Sequence, residues 1–268
     1  PPAGYVCMNI DSSQIEARLL VWLAGQDDVT EWYREGRDVY CEFASKVYNK
    51  KITKKNKTER AVGKTCILGL GYGTGAMKLQ NVLKLGAGVD FDELECKRLV
   101  RVYREVNNKV IELWQECDSA LADLASWPEG KEPYYIGKGE CVMITPEGIK
   151  LPNGLYIYYP ELEWDTSEVK SRYTYKKRNG RVGIWGGSVV ENIIQALARI
   201  VIGEQMVNIS HKYRPALTVH DAIVCVAAEE DKDEALNYIM TEMSKPPAWA
   251  KDCPITCEGG YAFNYGDC

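Results

Sequence analysis

Histidine and phenylalanine are scarce in this chain, with two and three among 268 residues. Only His211 and His220 are present and the ten cysteines contain no C-x-x-C, so a zinc finger or knuckle has no ligand set. Apolar runs stay below about 18 residues, so no membrane-spanning helix is expected. The chain opens Pro1-Pro2-Ala3-Gly4, with neither an initiator methionine nor a signal-peptide layout, and reads as a cut inside a longer polypeptide. Both nucleotide-loop fingerprints fail. Gly63-Lys64-Thr65 looks like the end of a P-loop, but Thr58 stands where its first glycine belongs, and the segment reads as mid-helix. Glycines 69, 71, 73 and 75 alternate strictly, so G-x-G-x-x-G never occurs.

What is present is ordinary in bulk: 46% hydrophobic and 26% charged residues. A chain of this length can bury roughly three quarters of its unfolded surface, and it lies where one core begins to divide in two. The cysteines are scattered, several inside apolar runs (Cys66, Cys225), as reduced buried thiols are, so a reducing cytoplasmic compartment is expected. Net charge is −5, yet the charge is segregated. Lys46, Lys50, Lys51, Lys54, Lys55, Lys57, Arg60 and Lys64 are opposed by Glu59 alone. A second run, Lys170, Arg172, Lys176, Lys177, Arg178 and Arg181, contains no acid, whereas residues 229–268 hold nine acids and three lysines. Local basic patches set phosphate affinity, and Arg178 is taken as a nucleic-acid contact; two solvated faces are the alternative.

The apolar run Tyr5–Ile10 predicts a strand ending at Asp11. A helix follows, with Ile15, Leu19, Leu20, Trp22 and Leu23 on one stripe. Further helices are predicted from Asp38 to Tyr48, Thr58 to Tyr72, Asp92 to Val106, Lys109 to Ser126, Ser188 to His211 and Asp231 to Ser244. Residues 134–185 read as short strands divided by turn signals, with Asn179-Gly180 marking a hairpin. Ala216–Val219 and Ile223–Ala227 form a strand pair around His220-Asp221, and a last strand lies near Ile255–Phe263. Strands near both ends with a helical middle imply an α+β core carrying a helical insertion.

Two features could carry chemistry. Arg60, Lys64, Leu68 and Tyr72 are spaced by four, which on one helix aligns two cations followed by an apolar and an aromatic side chain. Such a row could cradle a triphosphate and then its sugar and base; a solvated amphipathic helix is the bland alternative. Asp11 and Asp221 each stand at the end of an apolar strand. Brought together they would repel unless they shared divalent cations, although either could be a turn or helix-cap aspartate.

Taken in order, these segments become specific. Asp11-Ser12-Ser13-Gln14-Ile15-Glu16-Ala17-Arg18 resembles motif A of the family A DNA polymerases, the bacterial polymerase I type. Arg60-x-x-x-Lys64-x-x-x-Leu68-Gly69-x-x-Tyr72-Gly73 resembles their motif B, and Val219-His220-Asp221 their motif C. Gly186-Gly187, Glu191-Asn192 and Gln195-Ala196-x-x-Arg199 resemble the following helix of phage members. The resemblance spans nearly the whole chain. It implies an α+β right-hand polymerase: an antiparallel-sheet palm (1–26 and 187–268) and a large, mainly helical fingers insertion (27–186) with a β-rich excursion at about 134–185. The thumb and any 3′→5′ exonuclease would lie N-terminal to this chain.

The resemblance also implies roles. Asp11, Asp221 and the Ser12 carbonyl would hold two Mg2+ ions, with Mn2+ as a substitute. Arg60 and Lys64 would contact the triphosphate of a dNTP, and Lys64 could protonate departing pyrophosphate. Glu16 would crowd the sugar 2′ position with Tyr72 as its partner, Tyr72 and Gly73 would flank the templating base, His220 would lie near the primer terminus, and Gln14 near the minor groove. Primer-template DNA would be the macromolecular partner, in a bacterial or phage-infected cell. Four positions depart from the family pattern: Leu68 replaces an aromatic residue, Ala222 a glutamate, Ser12 a tyrosine, and Tyr40 a histidine among the phosphate contacts. A phage-type RNA polymerase is the rival within the superfamily, opposed by Glu16. A non-catalytic nucleic-acid-binding module is the rival outside it.

Overall fold

Alternating apolar side chains build the first strand, β1 (Tyr5–Ser12), whose Val6, Met8 and Ile10 share one face of the pleat. In the computed structural model, which describes residues 1–167 and 171–268, β1 lies inside a four-stranded antiparallel sheet. Its partners are β10 (Ala222–Ala228) on one side and β11 (Cys257–Ala262) on the other, with β9 (Pro215–Val219) beyond β10. The register sets Ile10 opposite Ile223, Met8 opposite Cys225 and Val6 opposite Ala227. These six side chains form a core with Ile202 and Ile209 of helix α8 (Gly186–Ser210) and with Ala235, Ile239 and Met243 of α9 (Lys232–Met243). Each large side chain buried there contributes about 1.5–3 kcal/mol of transfer free energy. The sheet, α9 and the later turns of α8 belong to one of two units, Pro1–Leu19 with Gln195–Cys268.

The second unit, Leu20–Ile194, is helical in its first half. After α1 (Ile15–Leu23) come α2 (Asp27–Arg34), α3 (Val39–Tyr48), α4 (Lys57–Leu70), α5 (Ala76–Gly86), α6 (Glu93–Val106) and α7 (Asn108–Ala125). Asp38 and Asp92, expected as first helical residues, are instead N-caps: their carboxylates accept from Cys41 N (3.1 Å) and Glu95 N (2.7 Å). Two sheets follow. β2 (Tyr134–Ile136), β3 (Val142–Thr145), β4 (Gly148–Lys150) and β5 (Tyr156–Ile157) form one, and β6 (Glu163–Asp165), β7 (Arg172–Lys177) and β8 (Gly180–Ile184) the other. The hairpin expected at Asn179-Gly180 forms with Arg178-Asn179 as its two-residue loop, Lys177 pairing with Gly180. No helix among the described residues is long and apolar enough to cross a membrane.

The mixture of helices and antiparallel strands agrees with the α+β reading, and four local expectations need correction. β1 runs one residue past Asp11, to Ser12, because β11 keeps pairing with it there. Helix α4 ends at Leu70, so Tyr72 lies in the turn after it. Helices α2 and α5 were not anticipated. The first has only eight residues, and the second follows the alternating glycines and buries only Leu79 and Leu83.

Candidate active site

Asp11 sits on β1 with Ala222 paired to one side and Glu258 to the other. His220 and Asp221 form the two-residue loop between β9 and β10, closed by the Val219–Ala222 pair. Since Asp11 faces Ala222, the preceding residue brings its carboxyl alongside, and the Asp11 and Asp221 carboxyls lie within hydrogen-bonding reach. The Ser12 N–H donates to the Asp221 carbonyl at 3.3 Å. Partial burial, then the charge and hydrogen bond of Asp221, then Glu258, raise the Asp11 carboxyl above its ordinary value, with His220 opposing. A cation standing between two carboxylates this close would relieve their repulsion.

Backbone strain marks the same place. Gln14 and His220 both carry left-handed φ (+55° each), uncommon for residues with a side chain. The segment after Asp11 is tied down: Ser13 N–H donates to Thr256 O (2.9 Å), and buried Arg18 donates from Nε to Ser13 O (2.7 Å) and from Nη1 to Pro254 O (2.8 Å). Arg18 is a positioning residue that sequence reasoning quoted but gave no role. Its burial in a helix rich in apolar residues was the available signal.

The donor chemistry suits a hard divalent cation. The Ser12 Oγ is buried without a hydrogen-bond partner, and among the described residues no group of three or more His, Cys, Asp or Glu is arranged to hold a metal. Two carboxylates side by side fit a hard cation that takes its remaining ligands from backbone oxygen, water or phosphate, as Mg2+ commonly does. Half-buried Glu16 lies in the first turn of α1, and His220 is exposed.

The second cluster is on α4. Arg60 donates from Nε to Asp38 Oδ2 at 2.7 Å, and its guanidinium lies 5.3 Å from the centre of the Tyr40 ring. Burial alone would raise the Asp38 carboxyl, but the hydrogen bonds from Arg60 and Cys41 outweigh it and hold the group below its ordinary range. Tyr40, expected as a phosphate contact, is buried and supports Arg60. Lys64 is exposed one turn on, with no acidic partner among the described residues. Leu68 follows, 48% exposed, where its apolar side chain borders a cavity of about 250 Å³ shared with Gly69, Tyr72, Lys78, Val82 and Glu191. Gly73, with φ +80°, completes the turn by donating its N–H to Leu70 O (3.1 Å). Asp38 and Glu191 were missed as site residues, although Asp38 was read as a helix start.

The second basic run is not a continuous patch. Lys176 pairs with Glu161 (2.6 Å) and Arg181 with Glu163 (2.9 Å), acids that the sheet register brings across from β6 and the residues before it. Exposed Arg178 sits at the tip of the β7–β8 hairpin, and Lys170 lies outside the described residues.

Residues 1–123 match the model of the family described as DNA polymerase family A. Over 97% of its length the chain is 30% identical to the DNA polymerase of Bacillus phage SP02, of which it spans 41%. It is 32% identical over 86% of its length to DNA polymerase I of Helicobacter pylori (strain J99 / ATCC 700824), spanning 21% of that protein. A solved structure, the POL domain of Pol1 from M. smegmatis with DNA primer-template and dNTP, superposes over 98% of this chain and 40% of its own with a TM-score of 0.69 at 19% identity, a likeness of fold. The chain thus spans at most about two fifths of these proteins. Residues 1–123 thus match DNA polymerase family A, and by motif order and sequence identity the chain as a whole is similar to members of that family.

Proposed function

We propose that this chain carries the catalytic residues of a template-directed DNA polymerase, adding dNTPs to a primer 3′-hydroxyl. The supporting observation is the Asp11–Asp221 pair, two carboxyls held side by side by a strand and the neighbouring hairpin loop. In this reading the sheet unit is the palm and the helical unit the fingers. Asp11 and Asp221, with the Ser12 carbonyl, would hold two Mg2+ ions. Those ions, when bound, neutralise phosphate charge and acidify the attacking hydroxyl.

The chain's own side chains do the rest. Lys64 Nζ contacts the triphosphate and donates a proton to pyrophosphate as it leaves. Arg60 exchanges part of its contact with Asp38 for phosphate oxygens, a bidentate-capable donor already oriented by Tyr40. Glu16 excludes a sugar 2′-hydroxyl, and Tyr72 with Gly73 borders the templating base. His220 and Gln14 line the primer side, and Arg178 adds a phosphate contact. Leu68 offers an apolar surface to the incoming nucleotide where relatives of this family place an aromatic ring.

The test is primer extension with Mg2+, run on the 268-residue chain and on the longest natural polypeptide containing it. Asp11→Ala and Asp221→Asn are expected to reduce extension about a thousandfold, the ~4 kcal/mol loss typical of removed transition-state electrostatics. Lys64→Ala is expected to raise the dNTP KM about tenfold. Undiminished extension by Asp221→Asn would overturn the catalytic reading in favour of a binding module, and preference for NTPs over dNTPs would overturn the DNA reading.

A further inference from the structure

Trp185 lies outside the residues matched by the family model and immediately precedes α8. It is 39% exposed, yet its six-membered ring is pressed against backbone at two glycines. A Cβ at Gly73 would fall 2.2 Å from Trp185 Cη2 and 2.3 Å from Cζ2; a Cβ at Gly187 would fall 2.3 Å and 2.4 Å from the same atoms. No other residue fits at either position without moving the ring. Trp185 also meets Trp114 edge-on, with ring centres 5.5 Å apart, and the Trp114 Nε1–H donates to Gly71 O at 3.0 Å. The turn 71–73 is therefore gripped twice, at the Gly71 carbonyl by one indole and at left-handed Gly73 by the other. Tyr72 lies between the two grips.

We propose that Trp185 is a positioning residue for nucleotide insertion, wedging the 71–73 turn so that Tyr72 is held in one orientation; this rests on the polymerase reading above. Glycine reaches positive and negative φ with similar ease, so a turn ending in Gly73 has several conformers open to it unless an outside group removes them. The indole is that group, and α8 fixes the indole: Ser188 and Val189 donate to the Trp185 carbonyl at 2.9 and 3.1 Å. Glu191, one turn further along α8, borders the cavity that Tyr72 and Leu68 also line. Truncating the ring leaves a void beside Gly73 and loosens the turn that carries Tyr72, while Asp11 and Asp221 are carried by other elements.

Trp185→Ala is expected to raise the dNTP KM about tenfold and to weaken discrimination against mismatched dNTPs, with kcat changed less than about twofold. Trp185→Phe, which keeps a ring against Gly73, should recover most of the loss. Hydrogen exchange over residues 69–76 should quicken in Trp185→Ala, because the Gly73 N–H to Leu70 O bond opens more often. If Trp185→Ala proves insoluble, Gly187→Ala displaces the same ring and should give the same signature. A wild-type protein that extends primers, beside a Trp185→Ala variant with unchanged KM and mismatch discrimination, overturns the inference and leaves the polymerase reading standing. If the wild type extends nothing, the polymerase reading fails, and the exchange measurement still decides whether Trp185 holds the turn: unchanged exchange overturns that as well.

Discussion

Position 60 joins two demands on one guanidinium. In the proposed function Arg60 must be held still to meet a phosphate, and Asp38 holds it while also capping α3. The pair fixes its own pH signature. The Asp38 carboxyl sits below its ordinary 3.8 in the folded chain, so the stabilisation is present above about pH 4 and is lost as pH falls through the depressed folded value. Asp38→Asn keeps the capping oxygen and removes the charge. It should cost about 0.5–1 kcal/mol at pH 7, and the gap to wild type should close near pH 3 in thermal melts. A gap that persists at pH 3 would assign the loss to packing. The same variant should alter dNTP use, since it frees Arg60 from its carboxylate.

At the scale of elements, pairing of β1 on both edges is what places Asp11 where Asp221 can meet it. Gly259 on β11 permits that approach. It lies opposite Ile10, and a Cβ there would fall 2.2 Å from Asn9 O, a backbone atom that cannot swing aside. Gly259→Ala is therefore expected to destabilise the chain by about 1–3 kcal/mol. That corresponds to a melting-point drop of several degrees at about 2–4 °C per kcal/mol. An unchanged melting temperature would mean that β11 moves freely, and that β1 does not depend on it. Helix ends are the elements least legible in advance. The spacing of Arg60, Lys64, Leu68 and Tyr72 is helical on paper, yet the helix stops at Leu70 because the glycines beyond it favour a turn.

Over the whole molecule, all ten cysteines are free thiols, eight of them buried, with Cys257 half-buried and Cys268 exposed. Burial pushes Cys66 and Cys225 up to about 12 and Cys141 up to about 11, so these groups stay protonated well above the ordinary 9. Folding stability that depends on them is intact below pH 9 and falls as the unfolded chain ionises above it. An alkylating reagent at pH 8 should accordingly modify Cys268 first in the native protein and the buried thiols only on unfolding, as read by mass spectrometry. Rapid native labelling of Cys66 or Cys225 would contradict the described core.

Much of this was determined along the chain itself. The apolar run Tyr5–Ile10, the turn residues at 179–180, and the motif order of Asp11, Arg60 and Asp221 are local patterns, and short-range sterics with side-chain character suffice to read them. Register is different, because it depends on which strands find one another. Only the tertiary structure set Ala222 opposite Asp11, paired the second basic run with Glu161 and Glu163, bound Arg60 to Asp38 and brought Trp185 against Gly73. These contacts join residues that nothing in their local spacing connects; they arise only when buried faces pack, since packing, not spacing, decides which distant groups share a neighbourhood.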